Sequence, residues 1–153
     1  MSKTPSENAA GMCDPGGAQV SVVFSWPVRV YWEDTDAGGV VYYANYLKFL
    51  ERARSEWLRA LDIHQGELAA QEDVLFVVRR VEADYLRPAR FDDALRVQCR
   101  ITELGRASLT MAQQVLRDDE VLLSAQVKLA CVSATGMRPA KIPPHLFVKL
   151  SAA

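Results

Sequence analysis

A chain of 153 residues with a formal net charge of −1 is one domain's worth of sequence, with no surplus of cations to attract a nucleic acid or an anionic membrane. Half of its residues are hydrophobic and 24% are charged, the balance of an ordinary globular protein that folds without covalent staples. Three cysteines without paired spacing argue against a disulfide framework, and two histidines with no C-x-x-C are too few for a zinc centre.

Residues 1–20 carry Ser, Pro, Gly, Asn and Ala without periodicity. They read as a disordered tail ahead of a single folded domain over 21–150. The tail lacks the apolar segment of a signal peptide, and no run approaches the roughly 18 apolar residues of a membrane span. The expected location is therefore the cytoplasm, without membrane insertion. "VRVYW" (28–32) reads as a strand leading into an acidic stretch. From about Tyr42 to Leu61 the chain reads as a helix, because Tyr46, Leu50, Ala53, Trp57 and Leu61 recur at three- and four-residue spacing as one apolar stripe. Arg52, Glu56 and Arg59 fall off that stripe as near-neighbour surface pairs. "GELAAQED" (66–73) adds at most a short helix.

The remainder reads as strand. Val81, Ala83 and Tyr85 alternate with Glu82 and Asp84. Leu95, Val97, Cys99 and Ile101 alternate with charged and polar residues. Leu109, Met111 and Val115 share one parity, "RDDE" (117–120) is a turn, and Val121 to Cys131 hold one parity throughout. Period two over such lengths means an antiparallel sheet with one buried face, with Cys99 and Cys131 as small core residues. "TGMRPAKIPP" ends the sheet, and "HLFVKL" reads as a terminal helical turn. The expected fold class is α+β: one long central helix wrapped by a curved antiparallel sheet of about five strands.

The stretch that carries chemistry is "EDTDAGGVVYYANYL" (33–47). Asp34, Asp36 and Gly39 fit the first, third and sixth positions of a calcium loop, but Gly38 and Asn45 stand where oxygen ligands are needed. Either aspartate also suits a plain cap ahead of a helix, whose N-terminus favours acids. The same physics builds a catalytic site. Unpaired N–H groups at a helix opening stabilise an oxyanion, Gly38 and Gly39 let a ligand approach the backbone, and a nearby carboxylate supplies a base or nucleophile. There is no G-x-S-x-G, and His64 and His145 lie far along the chain.

"RVYWEDTDAGGVVYYANYLKFLERAR" (29–54) closely resembles the opening motif of the hotdog-fold acyl-CoA thioesterases. It looks like the 4-hydroxybenzoyl-CoA thioesterase family, and most like the YbgC-type members linked in bacteria to the Tol–Pal envelope system. The likeness continues through "FVVRRVEADYLRPARFDD" (76–93) and covers about 22 to 148. It implies a hotdog fold and hydrolysis of an acyl-CoA, or of an acyl carrier protein thioester, without metal or organic cofactor. Asp36 falls where the family's catalytic carboxylate falls, and Tyr43 where a helix-opening N–H polarises the carbonyl. YbgC-type relatives commonly carry His at the latter position, and a phenol is a poor base at neutral pH, so here the backbone role is the one that survives. Substrate binding is expected at Gly39, Val78, Arg79 and Arg80, with Arg79, Arg80 and Arg87 as candidates for CoA phosphates. The family's site forms between subunits, which implies a homo-oligomer, dimer or homotetramer. Hydratases on this fold pair their carboxylate with a nearby His, and none occurs between 1 and 63. The alternative to an enzyme is a non-enzymatic hotdog interaction protein of the envelope or lipid-synthesis machinery.

Overall fold

The computed structural model describes residues 22–153; the expected tail over 1–20, and Cys13 within it, lies outside the described residues. In chain order the elements are β1 (Phe24–Arg29), a 3-10 turn (Trp32–Asp34), α1 (Asn45–Ala60), α2 (Gln65–Glu72), β2 (Val74–Tyr85), β3 (Ala94–Leu104), β4 (Ser108–Arg117), β5 (Glu120–Ser133) and α3 (Pro144–Ser151). The strands form one antiparallel sheet in the order β1-β3-β4-β5-β2.

The long period-two runs became the sheet as expected. Leu95, Val97 and Cys99 on β3, Leu109, Met111 and Val115 on β4, and Leu123, Ala125, Val127, Leu129 and Cys131 on β5 are all buried on the helix side. The stripe on α1 meets them: Tyr46 and Trp57 are buried, and Leu50, Ala53 and the neighbouring Phe49 are fully so. Each such large apolar side chain stabilises the fold by about 1.5–3 kcal/mol on burial. α1 starts at Asn45, later than the expected Tyr42, because Tyr42 to Ala44 form a turn closed by Asn45 N donating to Tyr42 O (2.8 Å). It ends where Asp62 turns left-handed (φ 58°) and the N–H groups of Ile63 and Asp62 return to Leu58 O and Arg59 O.

The expected single long helix wrapped by a curved sheet is not what forms. The described residues contain three separate helices, and the sheet is open, with β1 and β2 as unpaired edges. Geometry gives the reason. Five strands span roughly 19 Å at about 4.8 Å spacing, and one helix is about 10 Å across, so one helix covers about half the face. α1 lies over β1 and β3, and α2 packs on β2. α2 matches the short helix expected at 66–73, whereas "HLFVKL" extends a true helix that starts at Pro144.

β2 also begins at Val74, well before the expected 81. Its first half, "VLFVV", is an unbroken apolar run with no alternation to read. A bulge at Arg79 then shifts the register between Val78, opposite Leu129, and Arg80, opposite Lys128. Val78 and Val81 therefore sit on the helix side of an edge strand and remain 48% and 37% exposed.

Candidate active site

The chain between β1 and α1 is held at three levels. Val30 exchanges backbone hydrogen bonds with the 92–93 segment, its N–H donating to Asp93 O and its carbonyl accepting from Asp92 N (both 3.0 Å). Val41 N donates to Ala89 O (2.8 Å), and Val40 bridges Arg90. Between these anchors the two aspartates diverge. Asp34 is buried, at 4% exposure. Its carboxylate accepts from Tyr31 N (2.8 Å) and Asn45 Nδ2 (2.9 Å), and its carbonyl accepts from Tyr42 N (2.9 Å). Asp34 thus ties the loop to the first residue of α1.

Asp36 is exposed. Its Oδ1 accepts from Gly38 N (2.8 Å), its N–H donates to Val40 O and its carbonyl accepts from Gly39 N, making a tight turn. Gly39 has φ +75°, and a Cβ on Gly38 would lie 3.1 Å from Asp36 Oδ1. Gly39 is thus favoured by its left-handed backbone, and a side chain at Gly38 would crowd the carboxylate and push it from its seat. Among the described residues the other oxygen, Oδ2, has no hydrogen-bond partner.

Tyr43 stands in the turn before α1, with its side chain exposed. Among the described residues neither its N–H nor that of Ala44 has a hydrogen-bond partner. Beside it opens a cleft of about 200 Å³ lined by Val41, Tyr43, Tyr46, Tyr85, Leu86 and Pro88. Tyr46 Oη accepts from Ala89 N (3.0 Å), and Tyr85 Oη donates to Tyr43 O (2.7 Å). The Tyr46 and Tyr85 rings meet edge to face at 5.5 Å. Burial raises the pKa of both phenols, so both stay protonated at neutral pH.

Asp36, Gly39 and Tyr43 therefore share one loop at a helix opening, while Val78, Arg79 and Arg80 stand apart on edge strand β2. Val78 is on the helix side. Arg80 is on the opposite face, hydrogen-bonded and ion-paired to Glu82 beside Lys128. Arg87 borders the cleft. His64 precedes α2 and pairs with Asp62, and His145 opens α3 and pairs with Glu72, both away from this loop. Among the described residues no His, Cys, Asp and Glu cluster is arranged to hold a metal.

Sequence reasoning missed two polar arrangements. Tyr85 shows the parity of a core strand, and nothing local points to Tyr43, 42 residues earlier. The second lies under α1. Arg54 Nη1 donates to Gln113 Oε1 (3.0 Å), and Gln113 Nε2 donates to Leu50 O (3.0 Å) and Cys99 Sγ (2.9 Å). Gln113 occupies an apolar-parity position of β4, and that breach was the available signal.

Residues 30–150 match the family model described as the thioesterase-like superfamily. Over 123 residues the chain is 46% identical to the acyl-CoA thioesterase YbgC of Haemophilus influenzae, covering 80% of this chain and 90% of that protein. It is 47% identical over 127 residues to the acyl-CoA thioester hydrolase YbgC of Escherichia coli O157:H7, covering 82% and 94%. Among solved structures, a probable thioesterase from Bartonella henselae superposes with a TM-score of 0.76 at 37% identity, covering 80% of this chain and all of that one. A 1,4-dihydroxy-2-naphthoyl-CoA thioesterase from Synechocystis gives 0.78 at 22% identity over 85% and 96%, a likeness of fold alone.

Proposed function

The chain belongs to the thioesterase-like superfamily, and from that premise we infer that it hydrolyses the thioester of an acyl-CoA to a free carboxylic acid and CoA, with Asp36 as its reactive carboxylate and the opening of α1 as its carbonyl-binding end. The observation that carries the assignment within the site is the division between the aspartates. Asp34 is committed to holding the loop, whereas Asp36, on an exposed glycine turn, has one carboxylate oxygen without a partner among the described residues.

The thioester carbonyl would rest against the helix opening, where the Tyr43 N–H has no partner among the described residues. A developing oxyanion is stabilised there by the amide and by the positive end of α1. Asp36 then acts on the carbonyl carbon in one of two ways. As nucleophile it forms a mixed anhydride as the C–S bond breaks and the CoA thiolate leaves; water then cleaves the anhydride. As general base it takes a proton from water, the hydroxide adds to the carbon, and the same C–S bond breaks. Gly39 keeps the approach to the turn open, Arg87 at the border of the cleft is a candidate for the CoA phosphates, and Arg79 on the β2 edge would reach them only from a partner subunit. Arg80, already paired with Glu82, is less suited.

The free edge of β2 supports a homodimer in which two β2 strands pair. Pairing satisfies the edge backbone and covers Val78 and Val81. It would bring the partner's Val78–Arg80 segment toward the α1 opening, and a tetramer would build from two such dimers. No helix of the described residues is long and apolar enough to cross a membrane. An acyl-CoA substrate points to the cytoplasm as the place of reaction. Thiol release measured over a panel of acyl-CoA and acyl carrier protein thioesters tests the activity and the carrier together. Absence of release from every acyl-CoA would overturn it. Light scattering tests the assembly, and a stable, fully active monomer would overturn that.

A further inference from the structure

We propose that Tyr85 is a positioning residue for this site: its hydroxyl holds the Tyr43–Ala44 peptide so that the Ala44 amide stays directed, beside that of Tyr43, at the substrate carbonyl. The proposal rests on the reading of the α1 opening given above and adds to it a residue from the far end of β2.

The geometry is a matter of two consecutive peptides. In a trans peptide the C=O and N–H point in opposite directions. The peptide that carries the Tyr43 N–H is held at its other end, because Tyr42 O accepts from Asn45 N (2.8 Å). The next peptide carries the Ala44 N–H, and its carbonyl, Tyr43 O, accepts from Tyr85 Oη (2.7 Å). Both amides are therefore anchored from behind, and among the described residues neither has a partner in front. A hydrogen bond to a peptide oxygen also polarises the N–H of the same peptide, which makes it a stronger donor. Tyr42 O is served from within the turn. Tyr43 O is served from across the fold, and only while the last residue of β2 stays in place.

Three observations say that the hydroxyl is set for this contact. The Tyr85 ring is seated edge to face against Tyr46 at 5.5 Å and Tyr43 at 6.5 Å, which fixes its direction. Tyr46 is itself buried and tied to Ala89. The backbone next to Tyr85 is held to β5, with Leu86 N and Arg87 N both donating to Leu122 O (2.8 and 3.1 Å). The same ring lines the cleft. Tyr85 is therefore at once a wall of the substrate cleft and the brace of its oxyanion-facing turn.

Tyr85→Phe removes the hydroxyl and keeps the ring packing. Loss of one such brace should lower kcat about five- to tenfold, the worth of one hydrogen bond expressed in the transition state, with KM changed less than about twofold. A purely structural tyrosine would instead lower the melting temperature and leave kcat per folded molecule alone, and that result would overturn the proposal. So would a loss confined to KM. The second readout is the infrared band of a ¹³C-labelled thioester carbonyl bound to the Asp36→Asn chain. The band should lie below its value in water, and should move back toward that value in the Asp36→Asn/Tyr85→Phe double variant. A band unshifted in Asp36→Asn would sink the reading of the α1 opening itself. A shifted band that Tyr85→Phe leaves in place would sink the role of Tyr85 alone.

Discussion

Two polar places touch α1, and they are built in opposite ways. Under the middle of the helix, Arg54, Gln113 and Cys99 form a closed set. Gln113 is 1% exposed, and its amide donates to Leu50 O and Cys99 Sγ while its oxygen accepts from Arg54. At the opening of the same helix, amides and a carboxylate oxygen are left without partners among the described residues. A buried polar group without a partner costs about 1–3 kcal/mol, and the interior of the fold meets that demand; Asp36 and Tyr43 at the opening are exposed, so their unpaired groups face water and escape that cost. The closed set should answer to stability measurements and the open set to rate measurements.

The largest expected effect sits in the open set. Asp36→Asn keeps the acceptor for Gly38 N but removes the charge and the nucleophile, and kcat should fall by roughly 10²–10⁴ with the fold retained. Asp34→Asn should do the reverse, costing about 1–3 kcal/mol of stability because one of two buried carboxylate contacts is lost or mispaired, with a smaller loss in kcat. Steady-state thiol release and urea denaturation on both variants decide the matter. If the Asp34 variant is the inactive one and the Asp36 variant works, the division of labour is the wrong way round.

Next comes the closed set. Gln113→Ala leaves Arg54, 9% exposed, without its acceptor and removes the donor to Leu50 O. Burial already holds the Arg54 pKa below its ordinary value, so the charge is costly there and its acceptor matters. The expected loss is about 2–4 kcal/mol by urea denaturation, with kcat per folded molecule within about twofold. A stable but inactive Gln113→Ala would show that this cluster belongs to the chemistry. Cys99 belongs with it. Burial pushes its thiol up to about 11, so it should resist iodoacetamide at pH 8 until the chain unfolds.

Tyr43 gives a smaller change. Tyr43→Phe preserves the backbone amide and should alter kcat by less than about tenfold, whereas Tyr43→Pro deletes the donor and should be far worse. Loss of all activity in a folded Tyr43→Phe would move the catalytic role from the amide to the hydroxyl.

How much of this was legible in the sequence follows from how local each signal is. The stripe's spacing carried α1, but spacing alone left Asp34 and Asp36 open between caps and catalytic groups; it was the resemblance of the whole motif, glycines included, that pointed to Asp36. The alternation of β3, β4 and β5 carried the sheet. What escaped was made by partners far apart in sequence: Tyr85 with Tyr43, and Arg54 with Gln113, which are 59 residues apart. The open sheet with three helices escaped for a related reason. Helical periodicity measures the width of one helix's apolar stripe and says nothing of how many strands that stripe must cover. The first half of β2 gave no signal because "VLFVV" has no period to read.

The smallest expected effect lies at Asp73, a third polar place that is satisfied like the interior yet open to water. It stands between α2 and β2 with φ 54°, a backbone region that Asp and Asn tolerate. Its carboxylate accepts from Ser133 Oγ (2.7 Å), Thr135 N (2.8 Å) and Thr135 Oγ1 (3.0 Å), joining the start of β2 to the end of β5. The Ser133 hydroxyl first, and then the Thr135 amide, hold its pKa below the usual carboxylate range. A carboxylate whose folded pKa is depressed contributes stability above its unfolded value, about 3.9, and loses that contribution as pH falls through the folded value. Asp73→Asn should therefore melt below the native chain at pH 7, and the gap should narrow as pH drops below about 4. The substitution suits the backbone conformation, so what it tests is charge. A gap that stays constant with pH would mean that these bonds act through shape alone. A gap in kcat without one in melting temperature would mean that this junction, unlike Gln113, is coupled to the opening of α1.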